Sequence, residues 1–472
     1  MAFVHNDVSV TDALTFWLDS LTTNRILIAY SGGCDSHVLL HALARLVANR
    51  RLAGIATELV ALHVDHGLDP FSADWARHCG EVTADLGVEF ASTRLSALPA
   101  GGGPEDRARR GRYRFLAEMM KPGDALVTAH HREDQVETVL FNLFRGAGLQ
   151  GLSGMPAIRP FAGGFLHRPL LELPQATLIG YAETHELSYL NDPSNQDSRL
   201  DRNYIRHDVL PVIASRWPRV ADNIRRSAAN SADTLAIIER LGRERIVQAT
   251  VSTEVDRLFQ APVVSVDRLI IDPLEVCLNT LRQWIRDAGF ILPSRQRLLR
   301  LYEDLATASS PFMRFDLSNG SIRRYRDHLY LMESLPSLHQ DSISWTAQGE
   351  LKLFGGTLYV KARPLSGEGI ARRHLVDQLV TVDFKTADRV VRTTPGSPHK
   401  SLRKLFQERA VPPWLRPYIP RISIGDTLVS VPFVAENAEF AANNGEDGIR
   451  FELARNPSMG ACESTPDGLD PD

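Results

Sequence analysis

The sequence predicts an α/β fold, with a doubly wound parallel sheet in the N-terminal domain, a helical middle domain and a small α+β C-terminal domain. From Asn24 to about Leu190, short apolar and β-branched runs alternate with longer amphipathic stretches, the pattern of strands covered by helices. Those runs are continuously apolar, as expected of strands buried on both faces. Helical periodicity takes over after Pro211 and gives way to alternating segments beyond Leu335.

Arg25–Tyr30 (RILIAY) reads as the first buried strand and Ser36–Asn49 as the helix that follows it. Glu58–Val64 is a second strand, with helix around Ser72–Leu86. Val88–Leu95 is a third strand, and after the loop at 101–103, Glu105–Met120 reads as helix. Asp124–Ala129 is a further strand and Arg132–Phe144 a further helix. A Gly-rich loop over 146–154, able either to close over a ligand or simply to connect two elements, leads through Leu166–Leu170 to a helix starting near Pro174. Val220–Val247 and Pro273–Ala288 carry helical spacing, with few strand signals until the short segment Ile322–Leu331; Leu351–Val360 and Leu379–Val382 alternate. These readings divide the chain at 1–215, 216–335 and 350–455, with 456–472, rich in Pro, Gly, Ser and acid, as a disordered tail.

The chain has 472 residues, long enough for about three domains. Its 43% hydrophobic and 23% charged residues exclude collagen-like and wholly disordered classes. Cys34, Cys79, Cys277 and Cys462 are scattered and form no C-x-x-C pair, which argues against a zinc ribbon, an iron–sulfur cluster built on such pairs and a secreted disulfide framework. No signal peptide and no run of about 20 apolar residues is present, so no membrane association and a cytoplasmic location are expected.

The first strand runs into Ser31-Gly32-Gly33-Cys34-Asp35-Ser36 and then helix. Adjacent glycines let the backbone turn sharply against an anion, while serine hydroxyls and free helix-start N–H groups donate to it. The Lys and spacing of a Walker A loop are missing. A plain strand-to-helix turn with a capping side chain is the competing reading. Asp35 suits a Mg²⁺ ligand, or else a helix N-terminal charge. Further along, His63 and His66 end the second strand; Arg109 and Arg112 lie three apart on one helix face; and His130 and His131 precede Asp134 and Glu137, also three apart. The histidine spacing fits no zinc motif. Arg109 and Arg112 read as phosphate-gripping guanidiniums or as a solvated face; Asp134 and Glu137 as a site for a cation or as acid complementing a helix dipole.

Ser31–Ser36 resembles the S-G-G-x-D-S motif of the pyrophosphate-forming loop ATPases, which cleave ATP to AMP and pyrophosphate. With the later motifs in order through Asp192, Arg202-Asn203-Tyr204-Ile205-Arg206 and Pro211, the chain resembles the bacterial tRNA(Ile)-lysidine synthetases. The segment Ser401–Glu408 and Val411–Arg416 resembles that family's last domain, and Arg323-Arg324-Tyr325 matches in the middle. The resemblance implies ATP and Mg²⁺ as cofactors, with free L-lysine and a tRNA(Ile) bearing a CAU anticodon as substrates. The wobble cytidine would be adenylated and then displaced by the lysine side-chain amine. ATP contacts would come from Ser31, Gly32, Gly33, Cys34, Asp35, Ser36, His63 and His130, and Asp35 would carry the metal. Catalysis would draw on Asp35, Arg109, Arg112, Asp134 and Glu137, the last two holding the lysine ammonium. A tRNA thiolase and a non-catalytic tRNA-binding module are the alternatives; oligomeric state is left open, a homodimer included.

The net charge is −4, with 53 Lys and Arg against 57 Asp and Glu, so a uniform basic coat is excluded. The charge is nonetheless patterned, because residues 389–421 carry eight Lys or Arg against Glu408 alone. That window and an arginine run from Arg199 to Arg226 are expected to contact tRNA phosphates, with Arg202, Arg206, Arg403, Lys404 and Arg416 as the named contacts; solvated helix faces are the other reading.

Overall fold

The computed structural model describes residues 8–65, 72–95, 104–192, 196–307, 312–338, 341–385 and 389–455. The sequence motifs at His66, at 101–103 and at 193–195, and the expected tail at 456–472, lie outside the described residues. The chain divides into two compact units with the boundary between Ile237 and Ile238.

The first unit begins with α1 (Val10–Ser20), β1 (Arg25–Ala29), α2 (Cys34–Leu52), β2 (Glu58–Asp65), α3 (Ser72–Asp85) and β3 (Glu89–Arg94). It continues with α4 (Pro104–Met119), β4 (Ala125–Val127), α5 (Arg132–Phe144), α6 (Leu149–Leu152), β5 (Ile158–Phe161) and β6 (Gly164–His167). Then come α7 (Gln175–Thr184), α8 (Asp201–Tyr204), a π-helical turn over Ile205–Val209, α9 (Leu210–Arg216) and the long α10 (Val220–Ala249), inside which the unit boundary falls. The expected strand and helix order up to Phe144 is present, with ends shifted by a few residues.

The sheet order is β3-β2-β1-β4-β6-β5, parallel except for β5. Along β1, Ile26 and Ile28 enter one core with α1, α2 and α7, while Leu27 enters a second core with Tyr113 and Leu116 of α4. That alternation across two covered faces is the reason for an uninterrupted apolar strand. Burying one such side chain stabilises the unit by about 1.5–3 kcal/mol. The edge hairpin of β5 and β6, outside the expected strands, depends on Gly164, where a Cβ would lie 2.2 Å from the Asp124 carbonyl oxygen. Helix α1, also unforeseen, starts with Ser9 and Asp12 satisfying each other's backbone N–H groups at 3.1 and 3.3 Å.

In the second unit, helices Leu274–Asp287 and Arg295–Thr307 pack on a four-stranded antiparallel sheet made by Val263–Ser265, Phe312–Leu317, Gly320–Tyr325 and His328–Met332. The expected middle domain is therefore helices on a sheet, where only Ile322–Leu331 had read as strand. Beyond it lie a five-stranded and a four-stranded antiparallel sheet with the helix Leu402–Glu408. Val263, Tyr325, Tyr330 and Met332 share one apolar core with Trp345, Val382, Phe406 and Phe451, so residues on both sides of the expected 335/350 break pack together. Among the described residues, no helix is long and apolar enough to cross a membrane.

Candidate active site

In an open parallel sheet, ligands bind beyond the carboxyl ends of the strands where the strand order reverses. Here the reversal lies between β1 and β4, and both strands run at that point into residues singled out from sequence.

After β1, Gly32 has φ +86°, and a Cβ there would meet Leu190 Cδ1 at 2.8 Å and Cys79 Sγ at 2.9 Å. Only glycine lets the chain turn so close to both. Ser36 ties the loop together: its hydroxyl lies 3.0 Å from Ser31 Oγ, donates to the Gly33 carbonyl, and accepts from the Ser31 N–H. Gly33 caps α2 without any side-chain bond, which leaves the first-turn N–H groups open toward an anion. Asp35 sits in that first turn, and its Oδ1 is buried with no hydrogen-bond partner among the described residues.

After β4, the chain delivers His131 in extended conformation as the N-cap of α5, its N–H donating to Asp134 Oδ2 at 3.0 Å. The ring is 1% exposed. Nε2 lies 3.6 Å from Asp35 Oδ2 and 3.4 Å from Asp134 Oδ2, and Nδ1 lies 3.1 Å from Glu133. Burial opposes the ring's charge, but the Asp35, Glu133 and Asp134 carboxylates outweigh it and raise the pKa to about 10. His131 is thus an imidazolium joining the loop after β1 to the helix after β4. The sequence placed it in the right segment, as a residue for backbone or adenosine contacts at a strand end, and left it out of the catalytic set.

Asp134 and Glu137 share the inner face of α5 as their spacing requires. Glu137 is almost fully buried, and burial pushes its carboxyl upward despite a cation beside it. That cation is Arg206, whose Nε and Nη2 donate to the two Glu137 oxygens at 2.6 and 2.9 Å, while Nη2 also reaches Asp134 Oδ1 at 3.1 Å. Arg206, expected to face tRNA, is turned inward because two poorly hydrated carboxylates attract a guanidinium more strongly than solvent does.

His130 has a different partner, with Nδ1 2.8 Å from Thr128 Oγ1. Burial, then Arg168, Arg109, Arg112 and Arg202, hold its pKa well below the ordinary value, so the ring is neutral. Four guanidiniums that all disfavour charge on one ring mark a strongly positive locus. Arg168, 1% exposed, is a member the sequence reading missed; its only signal was an arginine inside the apolar run Phe165–Leu171. Arg109 and Arg112 lie 5.9 and 6.0 Å from the Tyr113 ring, with Arg159 on the same ring at 5.9 Å. They are half-buried, unlike a plain solvated face.

His63 is buried, with Nδ1 3.0 Å from the Tyr30 carbonyl oxygen, and burial lowers its pKa; it braces β2 against the loop after β1. The Gly-rich segment is tied to α5: Asn142 donates to the Gly151 carbonyl, and Gln135 exchanges two bonds with the Met155 backbone. Burial and Asp35 raise Cys34 to about 11, and burial raises Cys79 to about 12, so both thiols stay protonated at neutral pH.

Of the remaining tRNA candidates, Arg202 lies 5.9 Å from the Phe141 ring in the first unit. In the second, Arg403 and Lys404 are exposed on the helix Leu402–Glu408, whereas Arg416 donates to the Val411 carbonyl and lies 5.7 Å from the Phe406 ring. The basic window is partly neutralised in space: Arg389 pairs with Asp383, Arg392 with Glu439 and Lys400 with Glu408.

The chain matches the PP-loop domain family over residues 6–213, the TilS substrate binding domain over 265–330 and the TilS substrate C-terminal domain over 380–453. The tRNA(Ile)-lysidine synthase of Methylococcus capsulatus is 38% identical over 409 residues, which cover 86% of this chain and 90% of that protein. The tRNA(Ile)-lysidine synthase of Coxiella burnetii is 35% identical over 455 residues, covering 94% and 97%.

Proposed function

The chain belongs to the tRNA(Ile)-lysidine synthase family, and from that premise we propose how its own residues carry out the reaction. The activity is an ATP-dependent ligation: the side-chain amine of lysine is joined to the wobble cytidine of a CAU anticodon through an adenylated base, with release of AMP and pyrophosphate. The observation that supports these roles best is the convergence of Asp35, His131, Asp134 and Glu137 where the strand order reverses.

The open N–H groups of α2, with Ser31 and Ser36, hold phosphate oxygens of ATP, and Arg109 and Arg112 hold the rest of the triphosphate. Asp35 fits Mg²⁺: its Oδ1 is a hard oxygen donor, buried without a partner among the described residues, and Mg²⁺ commonly takes one or two carboxylates plus phosphate oxygens. When bound, the metal neutralises charge on the departing pyrophosphate. The carbonyl oxygen on cytosine C2 attacks the α phosphate, and pyrophosphate leaves. A lysine ammonium, with pKa about 10.4, must then be held and deprotonated before it attacks the activated carbon and expels AMP. Asp134 and Glu137 hold it, and Glu137, its proton affinity raised by burial, takes the proton.

The protonated Cys34 and Cys79 thiols do not favour the thiolase alternative. We place the reaction in the cytoplasm, with the exposed Arg403 and Lys404 engaging tRNA phosphates. The test is incubation of the protein with ATP, Mg²⁺, lysine and a CAU-anticodon tRNA(Ile), followed by mass spectrometry of the nucleosides. The expected product is cytidine gaining one lysine less one water; unmodified cytidine at saturating substrates refutes the assignment.

A further inference from the structure

The two carboxylates assigned to the lysine ammonium already hold a cation. Arg206 donates to both oxygens of Glu137 and to one of Asp134, while the other Asp134 oxygen accepts from the His131 N–H. With the Glu137 side chain 4% exposed, no second cation can approach those oxygens while the guanidinium stays. We infer that Arg206 is a placeholder for the substrate: it occupies the ammonium site of Asp134 and Glu137 and is displaced when lysine binds. This rests on the assignment of Asp134 and Glu137 as the lysine site.

Two features make the exchange physically reasonable. A lysine ammonium brings one positive charge and several N–H donors to the same carboxylates, so the buried acids are never left without a counter-charge. Arg206 also lies in the π-helical turn Ile205–Val209, set between α8 and α9. Such turns are rare single-turn insertions, and tightening one to α-helical register rotates its side chains by about 100°. Tightening this turn in that way would withdraw the guanidinium from the carboxylates. The placeholder also sets a selection rule, because a ligand must supply a cation able to outcompete an arginine already in place, and a neutral side chain cannot.

The experiment is calorimetric titration of full-length protein with L-lysine and with Nε-acetyl-lysine, using the parent, Arg206→Gln, Arg206→Lys and Glu137→Gln. With Arg206 seated on both carboxylates, removing the competing cation tightens lysine binding by about tenfold or more, since apparent affinity is reduced by the fraction of competent protein. Arg206→Lys should stay near the parent, and Nε-acetyl-lysine should bind none of the variants. Unchanged or weaker lysine binding in Arg206→Gln overturns the placeholder, provided Glu137→Gln weakens binding. If Glu137→Gln binds lysine as the parent does, the lysine site itself is misassigned and the inference falls with it. Should Arg206→Gln fail to fold, hydrogen exchange on the parent decides: amides of Ile205–Val209 should change their exchange rates when lysine binds, and unchanged exchange refutes displacement.

Discussion

His131 Nε2 lies 3.6 Å from Asp35 Oδ2, and this contact joins two loops that are separate in sequence but adjacent at the carboxyl ends of neighbouring strands. It makes the protonation of one buried ring a condition for the arrangement of three carboxylates. The sign of its pH dependence follows. The ring's pKa is about 10 in the folded protein against 6.5 for an ordinary histidine, so the native state holds a proton that the unfolded chain has released. The contribution is complete below pH 6.5 and is lost as pH rises toward 10. Chemical denaturation from pH 7 to 9 should show stability falling by up to about 1.4 kcal/mol per pH unit from this group. His131→Gln should be less stable at pH 7 and lack that part of the slope; an identical slope in both proteins would remove His131 from the account.

Gly32 separates the steric demand of the loop from its chemistry. Gly32→Ala forces a Cβ against Leu190 and Cys79 in a left-handed backbone, and should cost about 1–3 kcal/mol. Gly146→Ala provides the contrast, because φ is +73° there but nothing lies within 4 Å of the added Cβ. Its cost is conformational alone, about 1–2 kcal/mol. Denaturant midpoints of the two variants should rank in that order, and ATP binding should weaken only for Gly32→Ala.

How much of this was legible in the sequence follows the range of the interactions. The strand containing Leu27, the glycine turn and the spacing of Asp134 and Glu137 are local patterns, and each was readable. Helix α1 was readable in principle from the Ser9 and Asp12 pair. The strand Phe312–Leu317 was not, because Arg314 and Asp316 break any apolar run; it pairs in register with Gly320–Tyr325, which was read in part within Ile322–Leu331, across the two-residue turn Ser318–Asn319. Arg206 could not be assigned at all, since its partner Glu137 is 69 positions away, and an arginine in a basic run looks the same whether it faces solvent or a buried acid. The composition of the window at 389–421 was legible but its pairing was not, because Asp383 and Glu439, outside it in sequence, lie against Arg389 and Arg392 in space.

Asp35 and Glu137 should affect different half-reactions. Asp35→Asn removes the carboxylate proposed for Mg²⁺ and should depress tRNA-dependent pyrophosphate release. Glu137→Gln should leave pyrophosphate release near the parent and slow the lysine-dependent release of AMP by about 10²–10⁴-fold, the usual range for losing a general base. Rapid-quench measurement of pyrophosphate and AMP separates the two steps. Equal losses in both steps for Glu137→Gln would mean that the residue acts before lysine attack and is not the base.

The exposed cations of the helix Leu402–Glu408 offer a test for tRNA that does not depend on chemistry. Each phosphate contact releases counterions, so binding weakens with salt in proportion to the number of contacts. Replacing Arg403 and Lys404 together by Ala should weaken tRNA binding and lower the slope of log K against log salt by about one per lost contact. Arg421 lies in the same basic window but is 4% exposed, with Nε and Nη1 buried and without hydrogen-bond partners among the described residues. Arg421→Met should leave the salt slope unchanged and alter only thermal stability, because a side chain enclosed beside Phe406 releases no counterions. A salt slope that fell for Arg421→Met and held for the double variant would reverse the assignment, placing the phosphate contact at the buried strand rather than on the exposed helix.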